Sequence, residues 1–121
     1  MFNSTKKYVI NLKKRPERLA LMMNEFEYMG FNDVEVFEGI DLNSHVGCAK
    51  SHLEIIKKAI DQDLENVIVF EDDIVFMPYA KSLLNDIEKI VETNYFGTLN
   101  LNPSIHRPLL QSEVSDLLID I

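Results

Sequence analysis

The apolar positions change period repeatedly along the chain. Tyr8-Val9-Ile10-Asn11-Leu12 is short and rich in β-formers, and predicts a first strand. Pro16 stands where a helix can open, since the N–H it lacks has no partner in a first turn. Leu19, Met22, Met23, Phe26 and Met29 then recur at helical spacing, and Gly30 offers a stop. Val34-Glu35-Val36-Phe37 alternates as a second strand. A second helix is expected from Ser51 or its neighbours, with Leu53, Ile56, Ala59 and Ile60 on one face. Val67-Ile68-Val69-Phe70 is a continuous apolar run, the pattern of a parallel strand covered on both faces. Ile74-Val75-Phe76 reads as a short extension or hairpin piece. After Pro78, residues Ala80, Leu83, Leu84, Ile87, Ile90 and Val91 form the most regular helical stripe in the chain. Phe96 to Leu101 predict a further strand, and Leu110, Val114, Leu117 and Leu118 a final amphipathic helix. Strand and helix patterns alternate, so the expected class is α/β with a mainly parallel sheet. No linker, repeat or low-complexity stretch intervenes, and residues 1–121 read as a single domain.

Composition narrows the picture. With 121 residues, 46% of them hydrophobic, the chain is too apolar for disorder and long enough to bury a core without staples. No apolar run approaches the ~20 residues of a membrane helix. Met1 to Lys7 carries charge but no apolar segment of the secretory-signal kind. The single cysteine, Cys48, excludes an internal disulfide. Together these set a reduced, cytoplasmic setting as the expectation. A net charge of −8 argues against nucleic acid or an anionic membrane as partner. Lys6, Lys7, Lys13, Lys14, Arg15 and Arg18 are half of all 12 basic residues, whereas the densest acidic run, Glu71-Asp72-Asp73, lies in mid-chain. A fold that joined the two would set cations beside carboxylates, which suits a phosphate ligand carried with a divalent metal. Two separate solvated surfaces are the alternative.

Three segments could carry chemistry. Glu71-Asp72-Asp73 follows the most strand-like run, and open α/β sheets bind ligands at the carboxyl ends of strands. Carboxylates are hard donors suited to Mg²⁺ or Mn²⁺. Extended backbone would turn Glu71 and Asp73 to one side and Asp72 to the other. A solvated turn is the plainer reading. Asn11 to Arg18 spans a strand-to-helix junction, where backbone N–H groups attract anions and Arg15 and Arg18 could grip phosphate, although no Gly-rich phosphate loop is present. In Gly47-Cys48-Ala49-Lys50-Ser51-His52, small residues allow close approach to a ligand, Ser51 can cap a helix, and His52 could donate to a phosphate or pack as a satisfied core histidine. Zinc on His45, Cys48 and His52 lacks the second cysteine of the usual structural patterns, and nothing marks Cys48 as an activated nucleophile.

The order and wording of these segments resemble the family 25 glycosyltransferases, which include bacterial lipooligosaccharide and collagen galactosyltransferases. The likeness is carried by Tyr8-Val9-Ile10-Asn11-Leu12 with Arg15 and Arg18, then Glu38-Gly39-Ile40-Asp41, Gly47-Cys48-Ala49-Lys50-Ser51-His52, and Val69-Phe70-Glu71-Asp72-Asp73. It runs through about residues 8–77. The resemblance implies a GT-A type, Rossmann-like nucleotide-sugar fold. It also implies transfer of a hexose, often galactose or glucose, from a nucleotide donor such as a UDP-sugar to a glycan or protein acceptor. By analogy with D-x-D glycosyltransferases, Asp73 is the expected ligand of Mn²⁺ or Mg²⁺, with Asp72 or Glu71 in ribose or water-mediated contacts. Arg15 and Arg18 would meet the donor phosphates, and Asn11, Ser51 and His52 would line the donor pocket. Enzymes of this type run to on the order of 200 residues, more than one typical domain. A chain of 121 therefore reads as the donor-binding half, and no residue after about Phe76 is assigned to catalysis. Two other readings stand beside this one. A catalytically incomplete binding or interaction module would expose apolar surface and favour self-association. A receiver-like phosphotransfer domain has a similar length, but its acidic pair follows the first strand.

Overall fold

The computed structural model describes residues 5–93, 98–99 and 118–119. Its contacts divide into two compact units, Met1–Lys81 and Ser82–Ile121. The first unit contains strand β1 (Lys6–Asn11), helix α1 (Pro16–Met29), strand β2 (Val34–Glu38), helix α2 (Ser44–Asp61) and strand β3 (Val67–Glu71). The three strands form one parallel sheet in the order β2-β1-β3, with Asn11 opposite Glu38 and Ile10 opposite Glu71. This is the expected α/β, Rossmann-like arrangement of a parallel sheet flanked by helices. Helix α3 (Ala80–Thr93) follows, and β4 (Thr98–Leu99) pairs antiparallel with β5 (Leu118–Ile119) in the second unit. Leu118, expected in a final helix, thus belongs to a strand pair. Leu110, Val114 and Leu117 lie outside the described residues, as do Phe96 and Leu101. Among the described residues no helix is long and apolar enough to cross a membrane.

Alternation along β1 builds two cores. Tyr8 and Ile10 face α2 and pack with Ile55, joined by Phe37, Val67 and Val69. On the α1 side, Phe26, Phe31, Phe70 and Phe76 form an aromatic cluster, with Phe26 and Phe70 ring centroids 5.0 Å apart. Helix α1 has the predicted bounds. Gly30 ends it in the left-handed region at φ 77°, and its N–H donates to Glu27 O while Phe31 N–H reaches Phe26 O. That paired cap turns Phe31 into the cluster. Met22, Phe26 and Met29 are buried, whereas Met23 is exposed.

Two expectations need correction. Helix α2 opens at Ser44, seven residues before Ser51, and its buried face is Gly47, Ser51, Ile55 and Ala59 at intervals of four. Leu53, Ile56 and Ile60 are 49%, 48% and 70% exposed. The inward face is the less apolar one because α2 lies close to the loop after β2: a Cβ on Gly47 would sit 2.3 Å from Ile40 O. Only small side chains fit there, and the single large one, Ile55, docks on Tyr8 and Ile10. The second correction concerns Ile74–Phe76, which form no strand. Phe76 instead fills the aromatic cluster, and its N–H donates to Glu25 Oε2 at 3.1 Å. Strand β3 does carry packing on both faces, but among the described residues it pairs with β1 alone, so Val67–Phe70 are half-buried rather than buried.

The close approach at Gly47 makes a testable demand. In an open helix interior, Gly→Ala stabilises by about 1 kcal/mol. Here the added methyl meets backbone, so Gly47→Ala is expected to destabilise by about 2 kcal/mol or more, in the range of overpacked cores. Urea denaturation measures it. A variant as stable as the parent would mean that the loop at Ile40 retreats freely.

Candidate functional site

The strand order makes β1 the point where the connections part. α1 carries the chain from β1 to β2, and α2 carries it back across β1 to β3, so the two helices cover opposite faces. Ligands in open α/β sheets bind at such a switch point, outside the carboxyl ends of the strands. The end of β1 supplies Asn11, the end of β3 supplies Glu71-Asp72-Asp73, the start of α1 supplies Arg15 and Arg18, and α2 supplies Cys48, Ser51 and His52.

Asn11 is 5% exposed and uses both amide hydrogens. Nδ2 donates to Arg15 O at 3.0 Å and to Asp72 Oδ2 at 2.8 Å, tying the start of α1 to the turn after β3. The other oxygen of Asp72 takes Arg18 Nη1 at 3.5 Å, and the Asp72 side chain is only 12% exposed. Asp72 is therefore engaged on both oxygens by protein groups. The segment beyond it is held on α1 by the Phe76–Glu25 bond and by Tyr28 Oη donating to Pro78 O.

Strand β3 ends at Glu71 and the chain turns at Asp72 and Asp73, so the extended alternation expected of the triplet stops at its first residue. While Asp72 turns towards α1, Glu71 turns towards α2, where Oε1 accepts from Cys48 Sγ at 3.1 Å and lies 3.4 Å from His52 Nε2. Burial pushes the Cys48 thiol up to about 11, helped by the bond to Glu71 and the negative charge of Glu71 and Asp73. Cys48 is thus protonated near neutral pH and a poor nucleophile. Glu71 and Asp73 are exposed, so the solvent side of this edge is lined by carboxylates.

Ser51 has a different place. It is 1% exposed, its hydroxyl donates to Gly47 O at 2.8 Å, and it accepts Ile40 N–H at 2.9 Å. It locks the loop after β2 against α2, and Gly39 N–H, donating to Asn11 O at 2.8 Å, locks the same loop to β1.

The basic segment divides. Lys6 and Lys7 sit at the opposite end of β1, about 16 and about 13 Å from Asn11 at strand rise. There they pair with Glu35 and Asp33. Lys7 is fully buried beneath that pair, with its amine 5.4 Å from the Phe31 ring centroid. Of the cations near the site, Lys14 pairs with Asp41, Arg15 with Glu17 and Arg18 with Asp72. Arg15 also holds the Glu17 carboxyl below the usual range. Lys14 and Asp41 line a shallow depression with Leu42, Asn43 and Val46. The sequence sets Cys48 and His52 together with His45 and discounts them for want of a second cysteine; the contact of Glu71 with Cys48 and His52 has no local signal, since it forms only where β3 meets α2.

A family model described as glycosyltransferase family 25 (LPS biosynthesis protein) matches residues 43–108, more than half of the chain. The match takes in α2 and the acidic triplet and begins after Asn11, Arg15 and Arg18. A glycosyltransferase 25 family member of Aedes aegypti is 30% identical over 88% of this chain and 23% of its own length. Procollagen galactosyltransferase 2 of Mus musculus is 28% identical, over 68% of this chain and 18% of its own. A Bos taurus protein named probable inactive glycosyltransferase 25 family member 3 is 27% identical, over 79% of this chain and 22% of its own. The chain thus spans about a fifth of the length of each of these relatives. The match across α2, β3 and the carboxylates beyond it assigns this chain to glycosyltransferase family 25.

Proposed function

We propose that this chain is the donor-binding part of a metal-dependent hexosyltransferase, which takes a UDP-linked galactose or glucose and passes the sugar to a glycan or protein acceptor. The observation that supports this best is the convergence of Asn11, Arg18 and the acidic triplet at the switch point of the parallel sheet. A nucleoside diphosphate needs cations and a divalent metal in one place, and this edge has arginines on the α1 side and exposed carboxylates on the α2 side.

The residues fit a hard divalent ion. Asp73 is exposed and Glu71 offers a second exposed carboxylate. In this reading Asp73 is the direct ligand of Mn²⁺ or Mg²⁺, and Glu71 acts through water. When bound, the metal would neutralise charge on the departing diphosphate. Asp72, held by Asn11 and Arg18, positions the turn that carries Asp73. Arg18 keeps further N–H groups for the donor phosphates beyond the one given to Asp72, and Arg15 stands at the start of α1, where backbone N–H groups also favour anions. Asn11 and Ser51 act by holding the loops, and His52 borders the pocket. The name of the bovine relative favours a second reading, a nucleotide-sugar-binding module without transfer.

Thermal melts distinguish these ideas. Mn²⁺ and UDP together are expected to raise the melting temperature more than either alone, because a ligand held only by the folded state stabilises it. No shift under any combination would remove the donor site. Asp73→Asn should leave the unliganded melt unchanged and abolish the joint shift, whereas Asp61→Asn keeps it. Asp72→Asn should instead lower the unliganded melt, by about 1–3 kcal/mol, since it breaks a half-buried charged bond. Equal behaviour of all three variants would strip the triplet of its roles. The 121-residue chain alone is expected to bind donor yet transfer little sugar, because holding an acceptor in line can lower a barrier by ~7–11 kcal/mol and among the described residues none is placed to hold one. Acceptor-dependent release of UDP by this chain would overturn that expectation.

A further inference from the structure

We propose that Cys48, His52 and Glu71 form a binding site for a zinc-class transition-metal ion, chemically distinct from the hard-cation role given to Asp73. Three different ligand types meet here from two elements. Cys48 and His52 are four residues apart on α2 and so project from one face on successive turns. Glu71, the last residue of β3, reaches the same point from the sheet. The thiol, imidazole and carboxylate ligand atoms all lie within 4.8 Å of one another. Glu71 Oε1 is 3.1 Å from Cys48 Sγ and 3.4 Å from His52 Nε2.

Tetrahedral zinc, with bonds of about 2.3 Å to sulfur and about 2.0 Å to nitrogen or oxygen, sets neighbouring ligand atoms on the order of 3.3–3.8 Å apart. The two separations to Glu71 lie within a few tenths of an ångström of that edge. An entering ion would thus exchange the two contacts to Glu71 for metal bonds, and side-chain rotation would close the Cys48–His52 edge, which lies within 4.8 Å. The exchange balances simply. The S–H bond of Cys48 breaks, its proton passes to solvent, and the sulfur lone pair binds the metal. His52 binds through Nε2 in the neutral tautomer that carries its proton on Nδ1, reached by exchange with solvent, and Glu71 binds through a carboxylate oxygen. Two anionic ligands then match the charge of the dication. The His52 and Glu71 side chains are 38% and 50% exposed, which provides an entry path and leaves the fourth position to solvent. Thiolate and imidazole select zinc and cobalt over Mn²⁺ and Mg²⁺. The site shares Glu71 with the proposed donor edge but does not rest on that reading.

Cobalt reports the site directly, because thiolate bound to Co²⁺ gives a charge-transfer band in the near ultraviolet and tetrahedral Co²⁺ absorbs strongly in the visible. The full chain, free of nucleotide and manganese, is titrated with Co²⁺ and then with Zn²⁺. One cobalt per chain is expected, with both bands, released by Zn²⁺ but not by about a hundredfold excess of Mn²⁺. Cys48→Ser should lose the charge-transfer band. His52→Gln and Glu71→Gln should each weaken cobalt binding about tenfold or more, a loss of the size seen when metal sites lose supporting groups. His45→Gln, one turn earlier on α2, should bind as the parent does. Circular dichroism checks each fold, and the half-exposed His52 and Glu71 positions keep the test sound even if Cys48→Ser disturbs packing. Absence of both bands at equimolar cobalt would overturn the proposal. So would unchanged affinity in His52→Gln and Glu71→Gln, which would leave a lone thiol. The donor reading is untouched by either failure, since it is tested by manganese and UDP.

Discussion

The carboxamide of Asn11 joins the parts on which the site depends. Buried at the end of the central strand, it gives one hydrogen to the carbonyl that opens α1 and the other to the carboxylate of Asp72, while its own backbone oxygen takes Gly39 N–H. Four chain segments meet at this residue. An amide suits the place because it carries two donors in one plane without a charge to desolvate. Leaving either acceptor unpaired in so buried a position would cost about 1–3 kcal/mol. The geometry at the edge follows from this bridge and from the matching grip of Arg18 on Asp72.

Once Asp72 is held, strand geometry assigns the other acids. The last residue of β3, Glu71, is delivered to α2, and the turn that follows makes the Asp72 carboxylate an internal strut on the α1 side. Adjacent anions would repel on a featureless turn. Here the repulsion is relieved on one side by Arg18 and on the other by the Cys48 thiol, with His52 beside it. A charge-rich edge can thus be ordered and still leave Asp73 exposed.

The packing of α2 serves the same edge. Its inward face is built of Gly47, Ser51 and Ala59 around Ile55, because the helix must come within touching distance of the loop after β2. That closeness places Cys48 and His52 beside Glu71. It also leaves Leu53, Ile56 and Ile60 on the outer face, an apolar strip far more exposed than the inward one.

Local sequence alone determined the elements whose signals are short-range: Pro16 and Gly30 bounding α1, and the β-rich runs at Tyr8 and Val67. The order of motifs also pointed to family 25 without any coordinates. Other features depended on contacts between segments far apart in the chain. Helix α2 begins at Ser44 because Gly47 and Ser51 meet the Ile40 loop, and a small-residue stretch reads as loop until that partner is known. Lys6 and Lys7 look like part of one basic cluster with Arg15 and Arg18, but a strand carries its two ends about 16 Å apart at strand rise. The links from Asn11 to Asp72 and from Glu71 to Cys48 span 61 and 23 residues. No local pattern encodes such pairings; they form only when the parallel sheet brings the carboxyl ends of its strands to one edge.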